Sequence, residues 1–270
     1  MVLQLRDALK KCGLALHPSK CKAQTNDVSW SLRGSVPLDT DYSLEVLPES
    51  GTLTVLGTEL ALQDVTQYEI PNRIAAGWRL FWSMKALLMN TASSVKSRLR
   101  LFNSTVGSCV LWCTESWTPR VEEMQLLNVA RMSMIRRIVG ARRAPEEDYL
   151  EWIQRATRKA ERLATAAGVR NWVEAHRAAK WSWAGHVARR PVTTWVWRVS
   201  SWRDSEWQAL AMEVGSIRPL RPSRRRWMKW EYDLHRFCSV RRHGGWMTFA
   251  RRRDNWANAI DDFLQWSTAE

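Results

Sequence analysis

At 270 residues, 45% hydrophobic and 25% charged, the chain has the composition of a globular protein of one or two domains and not that of a disordered tail. Five scattered cysteines exclude a disulfide framework, and the lack of any apolar run of ~18–20 residues excludes a membrane-spanning class. The net charge of +14 is uneven: residues 1–72 carry 6 basic and 9 acidic groups, 73–200 carry 22 and 9, and 201–270 carry 13 and 9, so the middle of the chain is expected to face a polyanion.

The N-terminal stretch reads as a helix over 2–14, with Val2, Leu5, Leu9 and Leu14 at helical spacing and Gly13 near its stop. Arg6, Asp7, Lys10 and Lys11 interrupt it, so it is not a signal peptide; an intracellular protein, nuclear or cytoplasmic, with reduced thiols is expected. Between 20 and 65, "SLEVL" (43–47) and "TLTVLGTEL" (52–60) lie between turn residues and predict a small antiparallel sheet. From 67 the pattern is helical. Ile70, Ile74, Trp78, Phe81 (or Trp82), Lys85 and Leu88 form one stripe. Val95, Leu99, Phe102, Val106, Cys109 and Cys113 form a second, with Ser94 a candidate N-cap. A third helix runs from Val121 to Gly140, a fourth over about 145–167 to Gly168, and a fifth over about 170–189 to Pro191. After a Pro/Arg-rich arm (218–226), two further helices are expected near 227–238 and 246–266. The fold class is therefore mainly α, a helical bundle with a small antiparallel β element near the N-terminus. The expected domains are 1–65, 66–190 and a basic Trp/Arg-rich region 191–270. Thirteen of the 18 tryptophans follow residue 150, and most must be core.

Little in the chain points to catalysis. Cys109 and Cys113 are spaced i, i+4, as a zinc pair on one helix face requires, but no second ligand pair stands nearby and the apolar stripe runs through both; they read as packing residues. His235, Cys238 and His243 do not have finger spacing, and His17 with Cys21 fares no better. No phosphate-binding glycine loop, nucleophile elbow or zincin helix is present. Asp39 and Asp41 lie in a polar loop and Asp261 and Asp262 late in a helix, so no pair of carboxylates is placed to converge on two metal ions.

The order of segments carries a resemblance. "GLALHPSKC" (13–21) resembles the Gly-Leu-x-x-Asn-x-x-Lys-Thr stretch that follows the catalytic aspartates of non-LTR (LINE-type) retrotransposon reverse transcriptases, and "LTVLGTEL" (53–60) resembles their Phe-x-Tyr-Leu-Gly hairpin. "EIPNRIAAGWRLFWSM" (69–84) looks like their first thumb helix, "LFNSTVGSCVLWCTESW" (101–117) like a Tyr-Gly-x-Glu-x-Trp helix end, and "RMSMIRRIVGARR" (131–143) like an Arg-x-Ile-Leu-Gly helix. "WAGHVARR" (183–190), "RPSRRRWMKWEYDL" (221–234) and "WMTFARRRDNW" (246–256) resemble the segments that close the family's chain. The palm aspartates themselves have no counterpart, His17 replaces the motif's asparagine, and Val55 stands where an aromatic is usual.

The resemblance implies a post-catalytic palm edge, thumb and C-terminal region. It implies magnesium in the intact family but no cofactor for this chain. Lys20 lies at the motif's lysine, whose implied role is general acid for the pyrophosphate leaving group; without metal ions or a nucleotide site it has nothing to act on, so no polymerase activity is expected from this chain alone. The expected partner is nucleic acid, the backbone of RNA or an RNA–DNA duplex. The candidate phosphate contacts are Arg73, Arg79, Lys96, Arg98, Arg100, Arg136, Arg137, Arg142 and Arg143, with Arg224, Arg225 and Arg226 in the tail. Two other readings remain: a stand-alone basic helical module that binds nucleic acid, and a metal hydrolase built on Cys109, Cys113 and a histidine.

Overall fold

The computed structural model describes residues 2–17, 20–25, 34–37, 43–48, 50–55, 57–61, 66–201 and 230–268. Arg224, Arg225 and Arg226, the arm that holds them, and Asp39 and Asp41 lie outside the described residues. The chain is mainly α and divides into two units, residues 1–72 and 73–270.

In the first unit, helix α1 (Val2–Lys11) is shorter than its apolar spacing suggested. Gly13, at φ 73°, turns the chain out of it. Three short strands follow, β1 (Lys22–Gln24), β2 (Ser35–Pro37) and β3 (Ser43–Leu47), in the order β1-β3-β2. The expected antiparallel pairing is present between β2 and β3, while β1 adds a parallel neighbour. In that register Lys22 sits opposite Glu45, and the two form an ion pair at 3.1 Å. The 52–60 stretch is a hairpin of β4 (Leu53–Val55) and β5 (Thr58–Leu60) that turns at Gly57, φ 79°. The Glu69 carboxylate accepts the Glu59 N–H at 2.7 Å and ties the hairpin to helix α2 (Thr66–Ser83). Among the described residues of this unit only Val46, Glu69 and Ile70 are buried, so its core is small.

The second unit begins within α2 and continues through α3 (Lys85–Leu88) to α4 (Val95–Phe102), where the Ser94 hydroxyl accepts the Ser97 N–H as expected of an N-cap. Leu99, Phe102 and Val106 are fully buried, but the stripe then departs from the sequence reading. Asn103–Gly107 is a turn of π-helix. The Ser104 and Thr105 hydroxyls both donate to the Leu101 carbonyl and compete with the backbone ladder there. The wider turn advances the phase, so Val110 is buried where Cys109 was expected; the helix ends there, and Thr114, in the short 3-10 turn that follows, is buried instead of Cys113. Both cysteines are only half-buried, and Cys113, at φ 54°, ends the run.

Helix α5 (Val121–Val139) stops at Gly140, φ 67°. The Glu123 carboxylate accepts the Arg120 N–H at its start. Helix α6 (Tyr149–Ala167) begins later than position 145 because Asp148 is its N-cap, with Oδ2 accepting from Leu150 N–H at 2.7 Å. Ala156, Ala160, Ala164 and Ala167 form its buried face, and their small side chains let α6 lie closely on α4 and α5. Asn171 caps α7 (Trp172–Ala188), after which α8 (Trp195–Ser201) packs back on α7.

The C-terminal part contains α9 (Tyr232–Val240), α10 (Trp246–Arg251), α11 (Arg253–Asn258) and α12 (Ile260–Thr268). One helix was expected over 246–266, but the chain breaks at Arg252, where the backbone is extended, and again at Ala259. Trp256 stacks on Trp181 of α7 at 3.6 Å and Phe263 at 4.6 Å, so residues from two of these short helices meet one indole. Each indole of the Trp181–Trp256 pair donates to the other residue's carbonyl, at 2.9 and 3.0 Å. Leu234, Phe237, Trp246 and Phe249 complete this core, which is where much of the tryptophan content goes.

Candidate nucleic-acid interface

The cations proposed from the sequence separate by environment. Arg79, Lys96, Arg100, Arg137, Arg142 and Arg143 are exposed, and Arg73 and Arg136 are half-buried. Arg98 is not a surface residue: it is 7% exposed, and its guanidinium donates to the carbonyls of Leu88 (3.3 Å), Ser93 (3.3 Å) and Ile138 (2.6 Å). Leu88 ends α3 and Ile138 lies in the last turn of α5, so this cation sits on two negative helix ends and is committed to the fold. It is withdrawn from the set of phosphate contacts. Its position alternates with the stripe of α4, and only the neighbouring helix ends reveal that it turns inward.

Several of the others converge near the end of α5. Arg137 lies over the rings of Trp78 and Trp82 of α2, at 5.7 and 5.5 Å, and those rings stack on each other at 6.1 Å. Trp82 is 46% exposed. Arg136 donates to the Thr157 hydroxyl of α6, and partial burial lowers its pKa. Beyond Gly140, the loop carrying Arg142 and Arg143 is fastened to α6: Arg155 donates to the Arg142 carbonyl at 3.0 Å and to both oxygens of Glu147 at 2.7 Å, while Arg143 donates to the Glu147 carbonyl. The hydrogen bond from Arg155 pulls the Glu147 carboxyl down to about 2, so it stays ionised.

Helix α6 supplies cations that the sequence reading missed. Arg155, Arg158, Lys159 and Arg162 fall at i, i+3, i+4 and i+7, on the side opposite the buried alanines, and all four are exposed. Glu151 shares that side at the helix start, and Arg155 is held by Glu147. Among the described residues, Arg158, Lys159 and Arg162 have no ion-pair partner. The signal was available in the spacing, but an arginine-rich helix face is more often simply solvated. That the loop carrying Arg142 and Arg143 lies beside this helix, bonded through Arg155, only the tertiary structure reveals.

The segment 113–117 is a structural joint. His176 of α7 is buried between its Thr114 contacts, with Nδ1 2.8 Å from the Thr114 carbonyl and 3.0 Å from its hydroxyl, and it stacks on Trp117 at 5.9 Å. The Glu115 carbonyl accepts the Trp230 indole N–H at 2.7 Å. An open cleft of about 660 Å³ borders the joint, lined by Asn103, Ser108, Trp112, Glu115 and Arg170 among others. Burial, and then the nearby Lys180 charge, lower the His176 pKa to about 4. The unfolded chain, titrating near 6.5, binds the proton that the folded chain refuses, so stability is present above pH ~6.5 and is lost as pH falls toward 4. The loss from this group reaches roughly 3 kcal/mol. Denaturant titrations of the wild type and His176→Asn across this window should show the wild-type slope flattened in the variant.

Lys20 is exposed in the first unit, its N–H donating to the His17 carbonyl. Cys238 is buried, with its thiol pushed up to about 12 by desolvation, and His243 stacks on Phe249 at 4.1 Å. A magnesium site of the kind the resemblance implies needs converging carboxylates; among the described residues no three His, Cys, Asp or Glu side chains lie together as a metal site would require. Among them, too, no helix is long and apolar enough to cross a membrane.

The chain is similar to a Caenorhabditis elegans protein described as transposon-derived, at 26% identity over 269 residues, which covers 95% of this chain and 87% of that protein. No known family's profile matches the chain. No solved structure matches it.

Proposed function

We propose that the chain is the post-catalytic part of a retrotransposon RNA-directed DNA polymerase, retaining the grip on nucleic-acid backbone without the copying centre. The observation that carries this reading is the exposed cations Arg158, Lys159 and Arg162 of α6 beside a loop, fastened to that helix by Arg155, that carries the exposed Arg142 and Arg143, in a segment with 22 basic and 9 acidic residues over 73–200. The ordered series of reverse-transcriptase-like motifs and the transposon-derived relative support the same origin. In this reading the Trp78–Trp82–Arg137 stack holds the end of α5 in place, so that the guanidinium groups of the following loop meet phosphates in a fixed register.

Such binding is independent of sequence and electrostatic, with each phosphate neutralised on a B-form duplex contributing about −0.9 to the slope of log K against log salt. A filter-binding titration with RNA–DNA and DNA duplexes is expected to show affinity that collapses with salt, with a slope of about −3 or steeper. Absence of binding at low salt refutes the grip, and nucleotide incorporation by the purified chain refutes the missing centre.

A second reading, a stand-alone binding module, is favoured by one feature: the second unit encloses its own core around Trp181, Phe237 and Trp256. Limited proteolysis separates the two, because a module resists throughout whereas the orphaned edge of a larger palm loses residues 1–65 first.

A further inference from the structure

Residues 183–198 place a second set of aromatic and cationic groups on the surface. Trp183, His186 and Arg190 lie at i, i+3 and i+7, along one side of α7 and just past its end. The Trp183 and His186 rings stack at 5.4 Å with 18° between their planes, and Arg190 donates to His186 Nε2 from Nε at 3.0 Å and from Nη2 at 2.7 Å. All three are exposed, Trp183 at 38%. The opposite side of the same segment faces the core: Gly185 lies so close to Trp256 that a Cβ there would stand 2.7 Å from its indole nitrogen, and Arg189 donates to the Ala250 carbonyl. The exposed ladder therefore sits on a rigid base.

A turn closed by Thr194 N–H to the Pro191 carbonyl brings α8 in directly after it. There Arg198 lies over the Trp195 ring at 5.7 Å, and Trp195 is 76% exposed. The stretch from Ala175 to Arg203 contains no Asp or Glu. Two exposed indoles, one beneath Arg198 and the other stacked on an imidazole that accepts from Arg190, in a segment free of carboxylates, match the chemistry of unpaired nucleobases on a phosphate backbone: flat rings to stack and anions to pair.

We propose that this surface binds single-stranded nucleic acid, with bases stacking on Trp183 and Trp195 and phosphates meeting Arg190 and Arg198. A duplex covers its base faces, so the aromatic groups select unpaired strand, whereas the α6 surface takes duplex backbone. The proposal rests on the reading of the chain as a nucleic-acid-gripping fragment and adds a separate site of different preference.

The test uses the full-length chain and two labelled probes, a 20-nucleotide oligouridylate and an RNA–DNA duplex of equal length, followed by fluorescence anisotropy. Trp195→Ala, the more exposed position, should weaken oligouridylate binding by about 5-fold or more, and Trp183→Ala with Trp195→Ala should weaken it further, both leaving duplex affinity within about 2-fold. Because Trp183 is partly packed, 4-thiouridine crosslinking to the unsubstituted chain gives a second readout, with the adduct expected on residues 183–198. Unchanged oligouridylate binding in both variants, equal losses on both probes, or adducts confined to other segments each overturn the proposal; the first and last would leave the patch to a partner of another class. Duplex binding by the wild type without oligouridylate binding overturns this proposal alone. Binding of neither probe at low salt overturns the reading on which it rests.

Discussion

Replacing Arg158, Lys159 and Arg162 together by glutamate is expected to weaken duplex binding on the order of 100-fold at 0.1 M salt while leaving the fold intact. Each cation released from a phosphate contact removes roughly 1 kcal/mol at that salt, and reversal adds repulsion. The fold should survive because the three side chains are exposed, and it is Ala156, Ala160, Ala164 and Ala167 that face α4 and α5. The milder triple replacement by glutamine should reduce the magnitude of the salt slope by about 1 per cation. Arg155 is left out deliberately, since its pairing with Glu147 fastens the 142–147 loop. Anisotropy across a salt series reads both quantities, with circular dichroism as the control. A triple glutamate variant that binds duplex as the wild type does would place the grip elsewhere.

Arg98→Met is expected to cost stability, about 2–4 kcal/mol, with no direct contact to nucleic acid involved. The substitution keeps an unbranched stem but removes every donor, leaving the carbonyls of Leu88, Ser93 and Ile138 to lose charge-assisted hydrogen bonds in a site closed to water. It also removes the positive charge on which the C-terminal ends of α3 and α5 converge. Arg98→Lys should recover only part of the loss, because one ammonium group cannot span three carbonyls that a planar guanidinium reaches together. Urea titrations of the three proteins measure the effect. A change below about 1 kcal/mol in the Met variant would mean that the carbonyls find other partners.

The two predictions concern cations that look alike in the sequence. Arg98 and Arg100 both alternate with the apolar positions of α4, yet Arg100 is exposed and Arg98 is closed over by the end of α5, 40 residues away. Composition counts both as part of a basic surface. Only the placement of a helix end over one of them decides that its charge is consumed internally.

The same division holds for the elements. Helix spans with a strong stop were legible, because Gly140 and Gly168 end their helices in a left-handed backbone that glycine takes without strain, and Ser94 offers a local hydrogen bond. The hairpin at 53–60 was legible for the same local reason, with Gly57 at its turn. What stayed hidden depends on distant partners. The π turn at Asn103–Gly107 precedes the burial of Val110 in place of Cys109, and across the breaks at Arg252 and Ala259 Trp256 and Phe263 both stack on Trp181 while Phe249 meets Trp256.

By itself, then, the sequence determined a mainly helical protein with a mildly acidic N-terminal stretch and a basic middle, since charge, periodicity and caps are properties of neighbouring residues. Tertiary structure decided which arginines are exposed and which are closed over, which tryptophans are core and which face solvent, and that α6 presents the basic stripe. Those outcomes depend on which helix covers which face, and that is settled by side chains meeting across tens of residues of chain.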